Sequence, residues 1–412
     1  MEKCIKRISC ASCGNKHQRE MLDLGNIPFV GQFPTKKELN NQIRWQLKLM
    51  FCDKCKLVQT DSLINPKIAF KNYHYLSSIS LSKHFNELAN ILDSRYNIKG
   101  KSILEIGSND GVLLEPLSKL GAIVEGVDPS DNPVKIAKNK GLKIFNKFFN
   151  YENFKSDSFK NKYDLVLANN CFAHIPDIKS VVKGIKHVLK ENGLFIFEVH
   201  YLENLIKENQ WDNIYHEHLY YYSVTAIQNL LKKYGLNIKN VEKIPIHSGS
   251  IRVTATNSDL HFSNIDKILN QELKEVADLS FIDKFNKSVK IHIKNFNKEI
   301  KELSKKYRIA GYGASGRAGI FCSMTGLDEN TIKFIVDDSP ERCGRYLSGT
   351  KIPIVDFKNL ENSEIDIILI FAWNYSKMII EKTQFKDFKY LVAFPTVQLV
   401  NNYNELKGFE SI

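Results

Sequence analysis

The sequence contains no long apolar stretch. No run in its 412 residues approaches the roughly 20 apolar residues that span a bilayer. The first ten residues, MEKCIKRISC, have no apolar core of the kind that precedes a secretory cleavage site. We therefore expect a cytoplasmic protein with no membrane partner. Its composition, 43% hydrophobic and 25% charged, is that of a globular chain, and its length predicts two or three domains.

A dense basic tract is also missing. The chain has 58 Lys and Arg against 46 Asp and Glu, a net charge of +12, but the lysines are spread thinly along it. A dispersed excess is typical of a solvated surface and not of a nucleic-acid footprint. We expect no nucleic-acid partner, although the same field would favour a nucleotide diphosphate.

The cysteines do not suggest a disulfide framework. Five of the eight lie in the first 55 residues, and clustered cysteines in a cytosolic chain indicate a metal. Two CxxC pairs are separated by 38 residues, and four thiolates satisfy a tetrahedral zinc ion without leaving an open coordination position. We predict a structural Zn²⁺ site whose ligands are Cys10, Cys13, Cys52 and Cys55. Four unrelated buried cysteines are the alternative.

Short apolar runs alternate with helical segments from Lys101 onward, which is typical of an α/β fold with a parallel sheet. The predicted strands are 102–107, 123–128, 163–169, 193–200 and 250–256. Residues 258–307 contain no Pro or Gly and show helical spacing, and a second set of strands starts at Arg308. We predict a zinc-binding domain over 1–65, a Rossmann-like domain with a helical lead-in over 66–257, a helical connector over 258–307, and a second Rossmann-like α/β domain over 308–412.

A glycine-containing turn follows the first of these strands. Residues 105–111 read EIGSNDG, and glycines there let the backbone approach a ligand at the start of a helix. The spacing ExGxxxG differs from the GxGxxG of dinucleotide enzymes and suits S-adenosylmethionine. Asp128 ends the next strand, where a carboxylate can accept both ribose hydroxyls. We predict an S-adenosylmethionine-dependent methyltransferase domain over 66–257, with cofactor contacts at Glu105, Gly107, Asn109, Gly111, Asp128 and Asn169. A nucleotide fold of another kind is the alternative.

The most unusual segment is YHEHLYYYS, residues 215–223. It follows the strand 193–200, and doubly wound sheets build their active sites at such strand ends. Its histidines and glutamate offer a general base and an acid to orient it, and its phenols can hydrogen-bond a developing oxyanion. A neutral imidazole suits removal of a proton beside a carbonyl. Two alternatives remain: His216 and His218 as metal ligands, or an aromatic-rich core turn.

Taken in order, these motifs resemble one family. The cysteine pairs with LVQ (57–59), YHYLSS (73–78), EIGSNDG, YHEHLYYYS and HSGSIR (247–252) look like the nucleotide-sugar C-methyltransferases that make branched deoxysugars. The family is typified by the C-3 methyltransferases of antibiotic and lipopolysaccharide sugar pathways. GYGAS (311–315), VDD (336–338) and FAWN (371–374) resemble the same family, so the resemblance covers nearly the whole chain.

The resemblance implies an active site and a reaction. His218 would be the catalytic histidine, with Tyr215 and Glu217 beside it and Tyr73 or Tyr75 completing the site. His218 would remove the proton beside the ketone of a nucleoside-diphosphate 4-keto-6-deoxysugar, the tyrosines would stabilise the enolate, and C-3 would take the methyl group. We expect substrate contacts at His247, Ser250 and Arg252 and, because the family's C-terminal domain helps to hold the nucleotide sugar, at Gly313, Ser315 and Asp338. A monomer or small homo-oligomer is expected.

Other functions fit parts of the pattern. An O-methyltransferase acting on a sugar hydroxyl could use the same histidine. A zinc-containing RNA methyltransferase would combine the cysteines, the cofactor motif and the charge, but no base-stacking motif is evident. A non-catalytic nucleotide-sugar binder is a third possibility. Gly311, Gly313 and Gly316 also form a GxGxxG, followed by Asp337 and Asp338, which leaves a bound dinucleotide open.

Overall fold

The structure, a computed structural model, describes residues 4–65, 76–258, 265–275 and 279–408, without the side chains of 78–80. Tyr73 and Tyr75 lie outside the described residues. Across the described ranges, no helix combines the length and apolar character needed to cross a bilayer. A small N-terminal sheet, a seven-stranded sheet and a six-stranded sheet organise this part of the chain.

The N-terminal unit is built from short antiparallel strands. Along β3, buried Leu47, Leu49 and Phe51 alternate with less buried residues, because successive side chains of a strand point to opposite faces. Strands β2, β3 and β4 pair in that order, and β1 pairs separately with β5. The strands are β1 (Cys4–Lys6), β2 (Gln18–Pro28), β3 (Arg44–Cys52), β4 (Val58–Thr60) and β5 (Ser62–Ile64).

The central unit is a mostly parallel seven-stranded sheet flanked by helices. Its strands are β6 (Ser102–Ile106), β7 (Ile123–Val127), β8 (Ile144–Phe145), β9 (Tyr163–Asn169), β10 (Leu189–His200), β12 (Asn237–Ile244) and β13 (Ser250–Thr256). Its helices are α1 (Ser77–Tyr96), α2 (Leu114–Lys119), α3 (Asp131–Asn139), α4 (Tyr151–Phe154), α5 (Ile178–Val188), α6 (Leu202–Lys207) and α7 (Val224–Lys232). Strand β9 is buried over six of its seven residues, as expected for a strand covered on both faces.

The strand order determines where a ligand can sit. The order is β12-β13-β10-β9-β6-β7-β8, and β13 runs antiparallel to both of its neighbours. From β6 the chain moves outward through β7 to β8, then returns to β9 on the other side. This reversal opens a crevice at the carboxyl ends of β6 and β9. The predicted Rossmann-like α/β fold is confirmed, and the crevice lies beside the EIGSNDG turn.

One strand of the central unit leaves its own sheet. Strand β11 (Tyr220–Tyr221) pairs with β4, so the four-stranded sheet reads β11-β4-β3-β2. The YHEHLYYYS segment is therefore attached to the N-terminal unit through backbone hydrogen bonds. No feature of the sequence predicted this pairing.

The C-terminal part is a second doubly wound domain. Its strands are β14 (Ile309–Tyr312), β15 (Ile332–Val336), β16 (Ile354–Val355), β17 (Ile367–Ile370), β18 (Lys389–Val392) and β19 (Gln398–Val400), and its helices are α10 (Gly316–Thr325), α11 (Phe357–Glu361) and α12 (Ser376–Lys382). The order is β16-β15-β14-β17-β18-β19, parallel except for β19. This arrangement also places a switch point after its first strand.

Two helices precede the second domain, α8 (Asp266–Glu275) and α9 (Ser280–Leu303). Helix α9 has buried residues at helical spacing, from Ile282 through Val289 to Ile300. They belong to the same core cluster as the C-terminal strands and as Met21 and Leu22 of β2. The region predicted as a connector therefore contributes to the packing between the first and last domains.

Candidate active site

The four predicted zinc ligands lie together. Their sulfur atoms are all within 4.8 Å of one another, with Cys10 Sγ 3.4 Å from Cys55 Sγ and Cys13 Sγ 3.6 Å from Cys52 Sγ. A tetrahedral zinc ion with Zn–S bonds of about 2.3 Å requires sulfur atoms about 3.8 Å apart, so the cluster fits zinc. In the described ranges, no other three or more Cys, His, Asp or Glu side chains are close enough to share an ion. The predicted zinc site is confirmed.

Two similar turns present these sulfur atoms. In the first, the Gly14 amide donates to the carbonyl of Cys10, and in the second the Lys56 amide donates to that of Cys52. Gly14 and Lys56 both have positive φ, 76° and 64°, which bends each CxxC pair around its thiols. Four thiolates close the coordination sphere, so the ion is structural.

A cavity of about 330 Å³ lies at the carboxyl edge of the central sheet. Five of the six predicted cofactor residues line it: Glu105, Gly107, Asn109, Asp128 and Asn169. Gly111 does not, and its place is in the turn behind the cavity. There its φ is 77°, and a Cβ would lie 2.3 Å from the Leu142 side chain, so only glycine allows the turn to close.

Asp128 organises the cofactor turn. Its Oδ2 accepts the Asn109 amide at 3.0 Å and its Oδ1 accepts the Ser130 amide at 2.8 Å. These bonds tie the loop after β6 to the end of β7. Each carboxylate oxygen retains a further lone pair, so the predicted ribose contact at Asp128 remains geometrically open.

Several buried polar atoms in the cavity have no hydrogen-bond partner among the described residues. Glu105 Oε2, Ser108 Oγ and both side-chain amide atoms of Asn169 make no hydrogen bond to the described residues. Burial, reinforced by the charge of Asp128, raises the pKa of Glu105 well above its usual value, and burial also raises that of Asp128. Buried polar groups need partners, and a cationic ligand rich in polar atoms would provide them. The residues present therefore fit S-adenosylmethionine.

His218 lines the same cavity and has a defined tautomer. Its Nδ1 is 2.9 Å from the Asn213 carbonyl oxygen, which only accepts, so Nδ1 carries the proton. Its Nε2 is 2.6 Å from the Tyr215 hydroxyl, which donates to the remaining lone pair. Burial, and then the neighbouring His174, hold the pKa of His218 well below its usual value. The ring is a neutral base directed into the cavity.

Three more histidines line the cavity, of which the sequence interpretation assigned only His247. Burial lowers the pKa of His174 to about 4, of His200 to about 3 and of His247 to about 4, so all three are neutral near pH 7. The His174 ring centroid is 4.9 Å from that of His218. His200 Nε2 donates to Gln210, and its Nδ1 has no partner among the described residues. Because His200 is the last residue of β10, its place at a strand end was the available signal.

Glu217 does not perform the role expected of it. Its side chain packs on Gly31 of the N-terminal unit, where a Cβ would lie 2.1 Å from Oε1, and it does not line the cavity. Burial raises its pKa to about 7. The expectation that Glu217 orients His218 is wrong, because the Asn213 carbonyl occupies that position. The backbone carbonyl of Glu217 instead accepts Nδ1–H of His174 at 2.8 Å.

His216 also points away from the cavity. Its ring makes an edge contact with Trp45, with centroids 6.1 Å apart, and it joins no group of metal-ligating side chains in the described ranges. The metal-ligand alternative for the YHEH segment therefore finds no support. Tyr220 and Tyr221 line the cavity, whereas Tyr222 is buried outside it.

Two residues of β13 that were expected to contact the substrate, Ser250 and Arg252, do not line the cavity. Arg252 is buried in an ion pair, with Nη2 2.7 Å from Glu198 Oε1, and Glu198 Oε2 lies 2.7 Å from His84 Nε2. Ser250 Oγ donates to the Ile246 carbonyl. The polar groups of both side chains are therefore used within the central unit, and direct substrate contact by either residue stays a prediction.

Three residues of the C-terminal domain that were expected to contact the substrate also have roles within the protein. Gly313 forms a turn with φ 94°, Ser315 caps α10 by accepting the Ala318 amide, and Asp338 pairs with Lys382 at the surface. None lines the cavity. The absence of a side chain at Gly316 and Gly319 lets Val30 of the N-terminal unit pack against the start of α10.

The C-terminal domain reaches the cavity through a residue that the sequence interpretation missed. Arg317, in the first turn of α10, is the one Lys or Arg side chain among the described cavity-lining residues. Arg317 Nη2 lies 2.8 Å from Asp212 Oδ2 in an ion pair, and the Arg317 guanidinium carbon lies 4.5 Å from the Trp373 ring centroid. Its position two residues after the Ser315 cap was the only available signal.

Comparisons with known proteins agree with this arrangement. A zinc binding domain model matches residues 10–70, a methyltransferase domain model matches 80–241, and a C-methyltransferase C-terminal domain model matches 245–395. The C-methyltransferase NovU of Streptomyces niveus is 28% identical over 419 residues, which cover 97% of this chain and 99% of that protein.

Two further relatives are similar over less of the chain. A ubiquinone biosynthesis O-methyltransferase of Pasteurella multocida is 30% identical over 145 residues, 32% of this chain and 57% of that protein. The solved structure of magnesium protoporphyrin IX methyltransferase from Synechocystis, with bound S-adenosylmethionine, covers 44% of this chain and 81% of its own, with a TM-score of 0.34 and 17% identity.

Proposed function

We propose that the acceptor of this S-adenosylmethionine-dependent C-methyltransferase is a nucleoside-diphosphate 4-keto-6-deoxysugar. We also propose that C-3 of the sugar takes the methyl group. The observation that carries the proposal is the His218–Tyr215 pair, whose 2.6 Å hydrogen bond lies in the same cavity as Glu105, Asp128 and Asn169. A neutral base and a phenol beside a cofactor cavity suit proton removal next to a carbonyl. The full-length similarity to a C-methyltransferase supports the same class of reaction.

His218 is proposed to take the proton from C-3. Its Nδ1–H is held by the Asn213 carbonyl, so the proton can be accepted only at Nε2. In the free protein the Tyr215 hydroxyl donates to that lone pair. When the ketone oxygen enters, Tyr215 donates to it instead, and Nε2 becomes available. The electron pair of the C–H bond then moves onto the ketone oxygen, where Tyr215 stabilises the enolate.

The other residues hold the reactants in place. S-adenosylmethionine, when bound, would supply an electrophilic methyl group: the S–CH₃ bond would break as the new C–C bond forms, with S-adenosylhomocysteine as the leaving group. Glu105 and Asn169 are proposed to hold it through buried polar atoms that have no partner among the described residues, and Asp128 at the end of the next strand is proposed to accept the ribose hydroxyls. Arg317 is proposed to contact the substrate's diphosphate, because a guanidinium pairs well with phosphate oxygens. Fixing both partners in one cavity supplies much of the rate acceleration.

The proposal is tested by replacing the base. His218→Asn should lower kcat by about 10²–10⁴-fold, the range for a lost general base, with an unchanged Kd for S-adenosylmethionine by calorimetry. His216→Asn, the same change two residues away and outside the cavity, should keep most of the activity. The wild type should exchange the C-3 proton with solvent deuterium, and NMR of the product should show a carbon-bound methyl group. An oxygen-bound methyl group, or a fully active His218→Asn enzyme, would refute the proposal.

A further inference from the structure

The YHEHLYYYS segment is held by the zinc-bound unit at several points. Strand β11 pairs with β4, with Tyr220 opposite Gln59 and Tyr221 opposite Val58. The Thr60 amide donates to the Leu219 carbonyl at 3.1 Å, which extends the pairing toward His218. Part of the segment, β11, thus forms the edge strand of the N-terminal sheet, and it begins two residues after the proposed base, His218.

Gln59 links this strand to the zinc site. It is fully buried, its Oε1 accepts the Ala11 amide at 2.9 Å, and its Nε2 donates to the Ser9 carbonyl at 3.2 Å. Both partners flank Cys10, so the side chain holds the first CxxC turn while its backbone pairs with Tyr220. The second CxxC turn connects β3 directly to β4.

Arg7 makes a second connection from the N-terminal unit. Its Nη2 donates to the Tyr220 hydroxyl at 3.0 Å, and its guanidinium lies 4.9 Å from the Tyr220 ring centroid. The Tyr220 hydroxyl in turn donates to the Pro176 carbonyl at 2.6 Å, and both Tyr220 and Pro176 line the cavity. Arg7 therefore fixes part of the cavity wall.

The cofactor side of the cavity is held differently. The Gly107 amide donates to the Val127 carbonyl, and the Asn109 and Ser130 amides donate to the Asp128 carboxylate. These bonds stay within the central sheet and its loops. The two halves of the cavity thus depend on different parts of the molecule.

We propose that the zinc-bound domain positions the catalytic segment, and that Gln59 is the positioning residue that couples the first CxxC turn to His218 and Tyr215. In consequence, disturbing Gln59 reduces methyl transfer without affecting S-adenosylmethionine binding. This inference rests on the proposed function in one respect only, the role of residues 215–218 in transfer.

The test is Gln59→Leu in the full-length protein. We expect one zinc ion per chain, a Kd for S-adenosylmethionine within about twofold of wild type, and kcat lower by about 10²-fold, the effect of a displacement of about 1 Å. Gln46→Leu is the matched control, because Gln46 is an exposed residue of β3 in the same unit. It should behave as wild type.

A second readout requires no sugar substrate. In ¹⁵N-histidine-labelled protein, the His218 ring signal, identified by its loss in His218→Asn, should shift or broaden in Gln59→Leu because its hydrogen bond to Tyr215 loosens. The wild type treated with a zinc chelator should show the same change with cofactor binding retained. An unchanged signal and unchanged kcat in Gln59→Leu would overturn the inference, as would a parallel loss of cofactor binding. If wild type methylates no keto-sugar nucleotide, the proposed function fails while this spectroscopic test still decides the coupling.

Discussion

At the scale of single residues, Tyr215 is bonded directly to the proposed base. Its hydroxyl donates to His218 Nε2 at 2.6 Å, and the two ring centroids are 3.9 Å apart. The ring contact and the hydrogen bond can be separated experimentally, because phenylalanine keeps the ring and removes only the hydroxyl. In the proposed mechanism, this hydroxyl donates a hydrogen bond to the enolate oxygen.

We expect Tyr215→Phe to lower kcat by about 10²–10³-fold, the range for loss of one oxyanion donor, with little change in the Kd of S-adenosylmethionine. Steady-state kinetics with the accepted sugar nucleotide would measure this. Tyr222→Phe is the control, because Tyr222 belongs to the same segment but its hydroxyl donates weakly to the Phe172 carbonyl in the core. Equal activities of the two variants would contradict the assigned role of Tyr215.

At the scale of elements, a buried carboxylate of α8 bonds to the central unit. The buried Glu272 accepts four hydrogen bonds, from the Tyr201 hydroxyl and from Val224 and Thr225 at the start of α7. A carboxylate at a helix N-terminus satisfies amides that have no partner within the helix and is favoured by the helix dipole. Helix α8 thereby caps α7.

Glu272→Gln should lower the free energy of unfolding by about 2 kcal/mol, because one amide oxygen replaces two carboxylate oxygens and the amide NH₂ faces donors. Urea denaturation followed by circular dichroism would measure the loss. Glu275→Gln, on the same helix but with an exposed ion pair to Lys207, should cost well under 1 kcal/mol. A stability of Glu272→Gln equal to that of wild type would show that the capping bonds are replaced by water.

At the scale of the whole molecule, burial keeps several histidines neutral. Their pKa is lowered to about 4 in His174, His216 and His247 and to about 3 in His200. The unfolded chain binds a proton at each near pH 6.5, whereas the folded chain does not. The stability that these groups contribute is complete above about pH 6.5 and is lost as the pH falls toward 4. Buried carboxyl groups with a raised pKa act in the opposite direction: Glu217, whose pKa is raised to about 7, and Glu105 and Asp128 in the cavity.

We therefore expect the free energy of unfolding to decrease between pH 6.5 and 5, by up to about 1.4 kcal/mol per pH unit for each such histidine before the carboxyl groups offset part of it. Urea titrations at pH 7.5, 6.5, 5.75 and 5 would measure the slope. His216→Asn should make the slope shallower by one histidine's share. A stability that is constant or rises over this interval would contradict the prediction.

Local sequence was sufficient for the parts of this protein that depend on strand ends and turns. The EIGSNDG turn and Asp128 each follow a strand of the central sheet, and parallel strands bring their carboxyl ends to one edge. The CxxC pairs lie in turns of the antiparallel N-terminal unit, where their spacing alone indicated metal ligands. The two sheets could be predicted for the same reason, because buried parallel strands are short continuous apolar runs. His218 was predicted as the catalytic histidine from the unusual composition of its segment and from a family resemblance.

Contacts between distant residues could not be read from sequence. Arg252 and Asp338 were expected at the substrate, but their charges are taken by Glu198 and Lys382, partners 54 and 44 residues away. Glu217 was expected beside His218, yet its carboxylate packs on Gly31. A charged residue can be paired in many ways, and only packing decides which partner reaches it.

The sequence by itself determined the zinc ligands, the cofactor turn and the succession of two doubly wound units, because each depends on residues close together in the chain. Tertiary structure decided that β11 joins the N-terminal sheet, that Arg317 enters the cavity from the C-terminal domain and that four neutral histidines meet there. Those arrangements bring together residues up to about 300 positions apart, such as Gly31 and Glu217 or Val30 and Gly316. Their energies come from burial and hydrogen bonds that exist only after the sheets of the three units have packed.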